Sequence, residues 1–434
     1  MKNSGVEWIG EIPEDWEVKK LKYSFLERKS KNIGMKEKNL LSLSYGKIIK
    51  KNIETKDGLI PESFETYNII QSGDIVFRLT DLQNDKHSLR TGLCTETGII
   101  TSAYTTIIPP KYTDCIYMNY LFHSYDICKV FYNLGAGVRQ GMKFSDLGLL
   151  QILFPPKSIQ QHIASYLDKK CSKIEETIQN QQQVIEKLKA YKQFLITEAV
   201  TGKIKIQNGK VCGKYESYKD SGVEWIGKIP SGWNLTKIAY ITTKIGSGKT
   251  PNGGAAIYID EGVLFIRSQN VYNEGLLLDE PMFISDEIDD DMKSTRLANN
   301  DVLLNITGGS IGRCCIYEKK YGRANVNQHV CIIRVIPTKV IPKFMQLFWI
   351  SKVGEISIDI YQTGGNREGM SGDAISKTLI PLPTMDEQKE IANYLDKKCT
   401  AIDTAIEQKQ KLIEKLTEYK KSLIYECVTG KKEI

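Results

Sequence analysis

Histidine is nearly missing from this chain of 434 residues: four are present, far apart in sequence, which speaks against a histidine metal cluster or a histidine-based acid–base centre. The ten cysteines, at 94, 115, 128, 171, 212, 314, 315, 331, 399 and 427, include no C-x-x-C, and the adjacent Cys314 and Cys315 have no nearby Cys or His to complete a metal site. Reduced, mostly buried thiols and no metal are expected. No apolar run approaches the roughly 20 residues that cross a bilayer, and the polar start, Met1 to Gly5, lacks a signal-peptide core. A cytoplasmic chain without membrane association is expected. Nucleophile motifs such as G-x-S-x-G are absent too.

Three stretches resemble catalytic motifs and fall short of them. Gly246-Ser-Gly-Lys-Thr250 has Thr243 where the phosphate-binding pattern G-x-x-x-x-G-K-[ST] needs glycine, so it reads as a flexible basic loop able to meet a phosphate. Phe154-Pro-Pro156 lacks the Asn or Asp that precedes the paired prolines of adenine methyltransferases. Asp386-Glu-Gln-Lys389 has the E-x-K spacing of many nucleases, but sits where acids favour the positive start of a helix. No cofactor and no catalytic residue are expected.

What is present is of ordinary globular character, 41% apolar and 26% charged, in a length that suits two or three domains. The net charge of +7 permits nucleic-acid binding without deciding it. The chain also repeats itself. Ser4-Gly-Val-Glu-Trp-Ile-Gly-Glu-Ile-Pro-Glu-Asp-Trp16 returns as Ser221-Gly-Val-Glu-Trp-Ile-Gly-Lys-Ile-Pro-Ser-Gly-Trp233 with 10 of 13 positions identical, and residues 163–203 return as 391–431 with 24 of 41 identical. The offsets are 217 (221 minus 4) and 228 (391 minus 163), so the dissimilar segment between the repeats is 11 residues longer in the second half. A frame used twice, carrying two different inserts, follows.

The repeated carboxy-terminal segments are helical by pattern. Leu167, Ile174, Ile178, Ile185, Leu188 and Leu195 step by 7, 4, 7, 3 and 7 residues, interrupted by Gln181 and Lys192; Leu395, Ile402, Ile406, Ile413, Leu416 and Leu423 repeat the steps, interrupted by Lys409 and Lys420. Ser158-x-x-Gln161 and Thr384-x-x-Glu387 read as capping boxes, and Gly202 and Gly430 as stops. Some 40 helical residues make a rod of roughly 60 Å, suited to an antiparallel coiled coil between two domains; the simpler alternative is that each helix covers its own domain. The expected fold is α+β: two mixed α/β domains related by an internal pseudo-two-fold repeat and joined by two long helices. The expected boundaries are 1–156, helix 157–204, a polar, basic surface linker 205–220, 221–383, and helix with tail 384–434.

The inserts, residues 17–154 and 234–380, carry strand-like runs at Asp74–Arg78, Val263–Arg267, Asp301–Asn305 and Val330–Val335. Between them lie loops rich in groups that read base edges: arginine for guanine, asparagine or glutamine for adenine, with glycine amides and lysine for phosphates. In the first insert these are Arg78, Thr80, Gln83, Asn84, Lys86, Arg90 and Tyr104, then Arg139, Gln140 and Lys143. In the second they are Ser247, Lys249 and Thr250; Arg267, Gln269 and Asn270; Asn305, Thr307 and Arg313; Asn327, Gln328 and His329; and Asn366 with Arg367. The clustering of these groups, more than any one of them, marks the loops.

The paired SGVEWIG-x-IP-x-x-W openings, the Asn305-Ile-Thr-Gly-Gly-Ser-Ile-Gly-Arg313 stretch and the twin P…Q…IA-x-YLDKK helices resemble the specificity subunits of type I restriction-modification systems over nearly the whole chain. The resemblance implies two target-recognition domains on a helical spacer, a double-stranded DNA target of two half-sites, and two methyltransferase plus two restriction/translocase subunits as partners, which hold the catalysis. The chain has no obvious short repeats in its spacer helices, and its first insert fits the family less well. From the residues alone, the rival is a protein-binding scaffold that reads no DNA.

Overall fold

A computed structural model describes residues 1–53, 63–80, 89–133, 142–251, 253, 257–362 and 369–434. The chain divides into two compact units, one of residues 1–182 and 410–434, the other of residues 183–409. The cut falls within both long helices, Lys157–Val200 and Met385–Val428, each of 44 residues. Each unit therefore holds one insert, the first half of that insert's own helix and the last half of the other helix, whereas the sequence suggests domains that end where the helices begin.

In the first unit the described four-stranded antiparallel sheet uses β1 (Leu26–Glu27), β2 (Ile75–Phe77), β3 (Thr91–Leu93) and β4 (Thr105–Ile108) in the order β1-β4-β2-β3. The second unit has β5 (Thr242–Ser247), β6 (Val263–Ile266), β7 (Val302–Asn305), β8 (Cys314–Ile316), β9 (Ala324–Val326) and β10 (Val330–Val335). Its four-stranded sheet runs β5-β10-β7-β8, the same order by position, and β6 pairs in parallel with β9 in a smaller sheet. Ile75, Val76 and Phe77, and likewise Val302, Leu303 and Leu304, are wholly buried. Central strands covered on both faces read as unbroken apolar runs, which is why the sequence exposed them. Arginine from within or beside the same sheet neutralises the buried acid before each run, Arg334 to Asp301 with two bonds of 2.7 Å, and Arg28 to Asp74.

The two helix halves in each unit run antiparallel along the seam. Leu167, Ile174, Ile185 and Leu195 are buried on one helix, and Leu395, Ile402, Ile413 and Leu423 on the other, with the intervening seam positions half-buried. Lysines in the seam meet acids of the opposite helix: Lys420 bonds Glu175 in the first unit, and Lys192 bonds both oxygens of Asp403 at 2.8 Å in the second. Adding the offset of 228 turns Glu175 into Asp403, and subtracting it turns Lys420 into Lys192, so one ion pair is made twice.

Helix ends interlock with the repeated openings. Gly202 and Gly430 adopt φ of +71° and +70°. A Cβ on Gly202 would lie 2.4 Å from Pro230, and one on Gly430 would lie 2.4 Å from Pro13, with Trp233 and Trp16 next. The first helix thus ends under the second opening, and the second helix under the first, which explains why the two motifs recur together. At the helix starts, Thr384 and Glu387 form the anticipated capping box, with Glu387 N donating to Thr384 Oγ1 at 3.3 Å and Thr384 N to Glu387 Oε2 at 3.1 Å. At the first helix Ser158 makes no such bond among the described residues. The buried Gln160 acts instead: its amide donates to Pro155 O at 2.8 Å and accepts from Asp114 N at 2.9 Å, and Gln388 repeats this with Pro383 O and Ile341 N.

The linker is more ordered than its composition suggests. Lys205–Gln207 and Lys210–Gly213 form a hairpin about Asn208 and Gly209, both at positive φ, an Asn-Gly signal for a tight turn.

Gly430→Ala should lower the unfolding free energy by about 2 kcal/mol or more, because left-handed strain adds to the clash with Pro13. Gly222→Ala, at φ +72° with nothing within 4 Å of the added carbon, should cost distinctly less; equal losses in denaturant titration would contradict the interlock. Burial pushes the Glu175 carboxyl up, but Lys420 outweighs it and holds the group below the ordinary carboxylate range. Its stabilisation is therefore present above that range and lost as pH falls through the depressed value. Lys420→Ala should shrink the acid-side loss of stability, and an unchanged acid limb would contradict the pairing.

Candidate nucleic-acid interface

Four loops that carry candidate groups leave the sheets of the second unit at one place, held together by backbone bonds. Asn327 N donates to Ile266 O at 3.0 Å, which ties the turn before β10 to the end of β6. Gly248 N donates to Val330 O at 3.0 Å and Lys249 N to Val326 O at 3.1 Å, which brings in the end of β5. Ile306 N donates to His329 O at 3.0 Å, and Thr307 Oγ1 lies 2.6 Å from His329 Nδ1, which brings in the loop after β7. Residues as far apart in sequence as Gly248 and Val330 thus share one end of the unit. Met370 N joins them through Ile306 O at 2.9 Å. Asn366 and Arg367, just before it, lie outside the described residues.

Within this cluster Ser247, Lys249, Thr250, Gln269 and Gln328 are exposed, and Arg267, Thr307, Arg313 and His329 are half-buried. Asn270, Asn305 and Asn327 are buried and must be withdrawn as readers. Asn270 Oδ1 accepts from Arg267 N at 2.9 Å, and its amide donates to Leu277 O. Asn305 donates to Ser268 O at 2.8 Å and to Ser310 Oγ at 3.1 Å, and Asn327 Oδ1 accepts from His329 N. An asparagine at a strand end or in a turn serves the backbone as readily as a base, and here all three hold the loops in shape. Within this cluster Asn305 Oδ1 and Arg267 Nε are buried without a hydrogen-bond partner. Buried polar atoms normally have one.

The Gly246–Thr250 stretch is not a flexible loop. Gly246 and Ser247 end β5, and Gly248 follows packed so closely that a Cβ on it would lie 1.9 Å from Val326 O. With the amides of Gly248 and Lys249 bonded to carbonyls, no nest of free N–H groups faces a phosphate; the exposed Lys249 side chain still can.

The first unit builds the same end from less. Arg78 N donates to Arg90 O at 2.8 Å, as Asn305 N does to Arg313 O at 2.9 Å, and Met142 N donates to Leu79 O at 3.0 Å, as Met370 N does to Ile306 O. Thr80 and Lys143 are exposed, Arg78 and Tyr104 half-buried. Arg90 is wholly buried, its guanidinium donating to Thr80 O at 2.7 Å and Arg78 O at 3.3 Å, so it shapes the loop and is withdrawn as a reader. Gln83, Asn84, Lys86, Arg139 and Gln140 lie outside the described residues.

Among the described residues no group of three or more His, Cys, Asp or Glu is arranged to hold a metal, and no helix is long and apolar enough to cross a membrane. The buried thiols are far from reactive: burial pushes Cys315 and Cys331 up to about 12.

Residues 230–417 match the family described as the type I restriction modification DNA specificity domain. The putative type I restriction enzyme MjaX specificity subunit of Methanocaldococcus jannaschii is 26% identical over 98% of this chain and 95% of its own length. This chain carries a type I DNA specificity domain and is similar to type I specificity subunits along its length. The EcoBI specificity subunit of Escherichia coli is 24% identical over 64% of this subunit and 57% of the EcoBI chain. Among solved structures, a chain from work on complex assembly and conformational transition of the type I R-M system superimposes with a TM-score of 0.73, at 13% identity over 97% of this subunit and 100% of that chain. The HsdS subunit of Thermoanaerobacter tengcongensis does so at 0.50 and 13% identity, over 97% and 98%. These share the fold of the subunit. Its family-matched segment begins at the second opening and spans the whole loop cluster of the second unit.

Arg90→Ala should cost about 3 kcal/mol of stability, because it removes a buried guanidinium and strands two carbonyls. The salt dependence of DNA binding at permissive temperature should stay unchanged; a shallower salt slope at full stability would return Arg90 to the interface.

Proposed function

We propose that the subunit reads a bipartite double-stranded DNA target, each unit presenting its loop end to one half-site, while the duplicated helices set the distance between readings. It recognises DNA and leaves catalysis to the methyltransferase and restriction subunits it directs to the site. The observation that carries this reading is the gathering of loops from β5, β6, β7 and the β9–β10 turn at one end of the second unit, with Ser247, Lys249, Gln269 and Gln328 exposed there. Lysine and hydroxyl suit phosphates, and the two glutamines suit adenine edges.

The partners are two methyltransferase subunits and, for cleavage, two restriction/translocase subunits. Two copies are supported by the frame itself: Tyr191 is 50% exposed and Tyr419, its repeat equivalent, 51% exposed, so the helices offer the same aromatic contact twice. The assembly works in the cytoplasm, where its DNA is.

Exchanging residues 17–154 for the matching segment of a relative should change one half of the methylated sequence and leave the other. A change in both halves would sink the two-reader assignment. Gln269→Ala should relax preference at one base by about 1–3 kcal/mol, while Lys249→Ala should weaken binding to all sequences and lower the salt slope by about one. Binding that is insensitive to salt would favour the protein-scaffold reading.

A further inference from the structure

We infer that Tyr272 is a positioning residue for base readout in the second unit: it holds Arg313 flat for a guanine edge, and the hairpin that carries it braces this arginine against the helix seam. The inference rests on the DNA-reading assignment above. Arg313 closes the loop after β7, and its guanidinium carbon lies 4.4 Å from the centre of the Tyr272 ring. A guanidinium stacked on an aromatic face keeps its edge donors free and loses rotational freedom in advance, which suits two parallel bonds to guanine O6 and N7.

The first unit uses the equivalent arginine differently. Its topological counterpart of Arg313 is Arg90, since each carbonyl accepts the amide that ends the central strand. The matching hairpins are Leu41–Ser44 with Lys47–Lys50 and Val271–Tyr272 with Gly275–Leu276, each with a two-residue turn. Counting back from the turns puts Ser44 where the second unit has Tyr272. There Arg90 turns inward and bonds Arg78 O and Thr80 O. The same position therefore carries a wholly buried loop clamp in one unit and a half-buried, ring-stacked arginine in the other.

The hairpin is also tied at both flanks. Asn273 Oδ1 accepts from Cys314 N at 3.0 Å, next to Arg313, and Asn273 O accepts from Gln346 Nε2 at 2.9 Å. Glu274 pairs at 3.6 Å with Lys192, the seam lysine that bonds Asp403. A chain of contacts thus runs from the helix ion pair through Glu274 and Tyr272 to Arg313. It fixes the arginine relative to the helices within this unit, where a bidentate bond tolerates little displacement.

The test is methylation of a randomised half-site library by the subunit assembled with its methyltransferase partners, for Tyr272→Ala, Tyr272→Phe and Arg313→Ala. Arg313→Ala and Tyr272→Ala should both relax preference at one and the same guanine of one half-site, on the order of tenfold, leaving the other half-site intact; Tyr272→Phe keeps the ring and should retain the preference. Loss spread evenly over all sequences with a reduced salt slope would make Arg313 a phosphate contact and overturn the inference. So would a wild-type profile in Tyr272→Ala. If the wild-type assembly itself shows no sequence preference, the DNA-reading assignment fails, which is a separate result.

Discussion

A lysine in a helix seam is tolerated where an acid from the facing helix meets it, and the subunit places such a pair at two equivalent points. Lys420 with Glu175, and Lys192 with Asp403, are half-exposed, so each adds little net stability. Their value lies in register: sliding either helix by one turn would set a partly buried lysine against apolar neighbours and leave its charge uncompensated. Everything outside the helices hangs on that register. The helix starts are clamped to their units by Gln160 and Gln388, and the helix ends turn at glycines that only fit beneath the opposite opening. A frame held at starts, middles and ends by duplicated contacts can carry two inserts that share almost no loop sequence.

The inserts divide their labour between depth and tip. Central strands with no exposed side chain and buried aspartates paired to arginine hold each sheet, while the loop end gathers groups from distant positions. Buried asparagines and Arg90 shape these loops, and neighbouring glutamines, lysine and hydroxyls stay outside. Loop-shaping groups and exposed candidate groups are therefore drawn from the same residue types, separated only by where the backbone puts them. Arg90 and Arg313 make the point most sharply: the residue just before the hairpin turn is Ser44 in one unit and Tyr272 in the other, and the arginine is a buried clamp in the first and half-buried on a ring in the second.

Much of this was legible in the sequence, for physical reasons. Duplication is visible without a structure, a 3.5-residue seam survives polar interruptions, and strands buried on both faces stand out as apolar runs. The long helices and the strands at Ile75–Phe77, Val302–Asn305 and Val330–Val335 follow from those signals. Hidden features depend on tertiary partners. Nothing local distinguishes Asn305, which holds Ser268 and Ser310, from Gln269, which faces solvent. Gln160 outranks Ser158 at the helix start because a folded neighbour offers Asp114 N. Tyr272 lies 41 residues from the arginine it supports, beyond the reach of any spacing rule. The Asn208-Gly209 turn alone was in plain view, a hairpin signal set in a stretch whose polar composition suggested only a linker.

The central claim, two unlike readings at a fixed separation, is tested most directly by mapping methylated adenines across genomic DNA modified by the subunit with its methyltransferase partners. The account predicts one split motif, two short specified halves with an invariant number of unspecified bases between them, and a modified adenine in each half. A single contiguous motif, or two halves at varying separation, would contradict it.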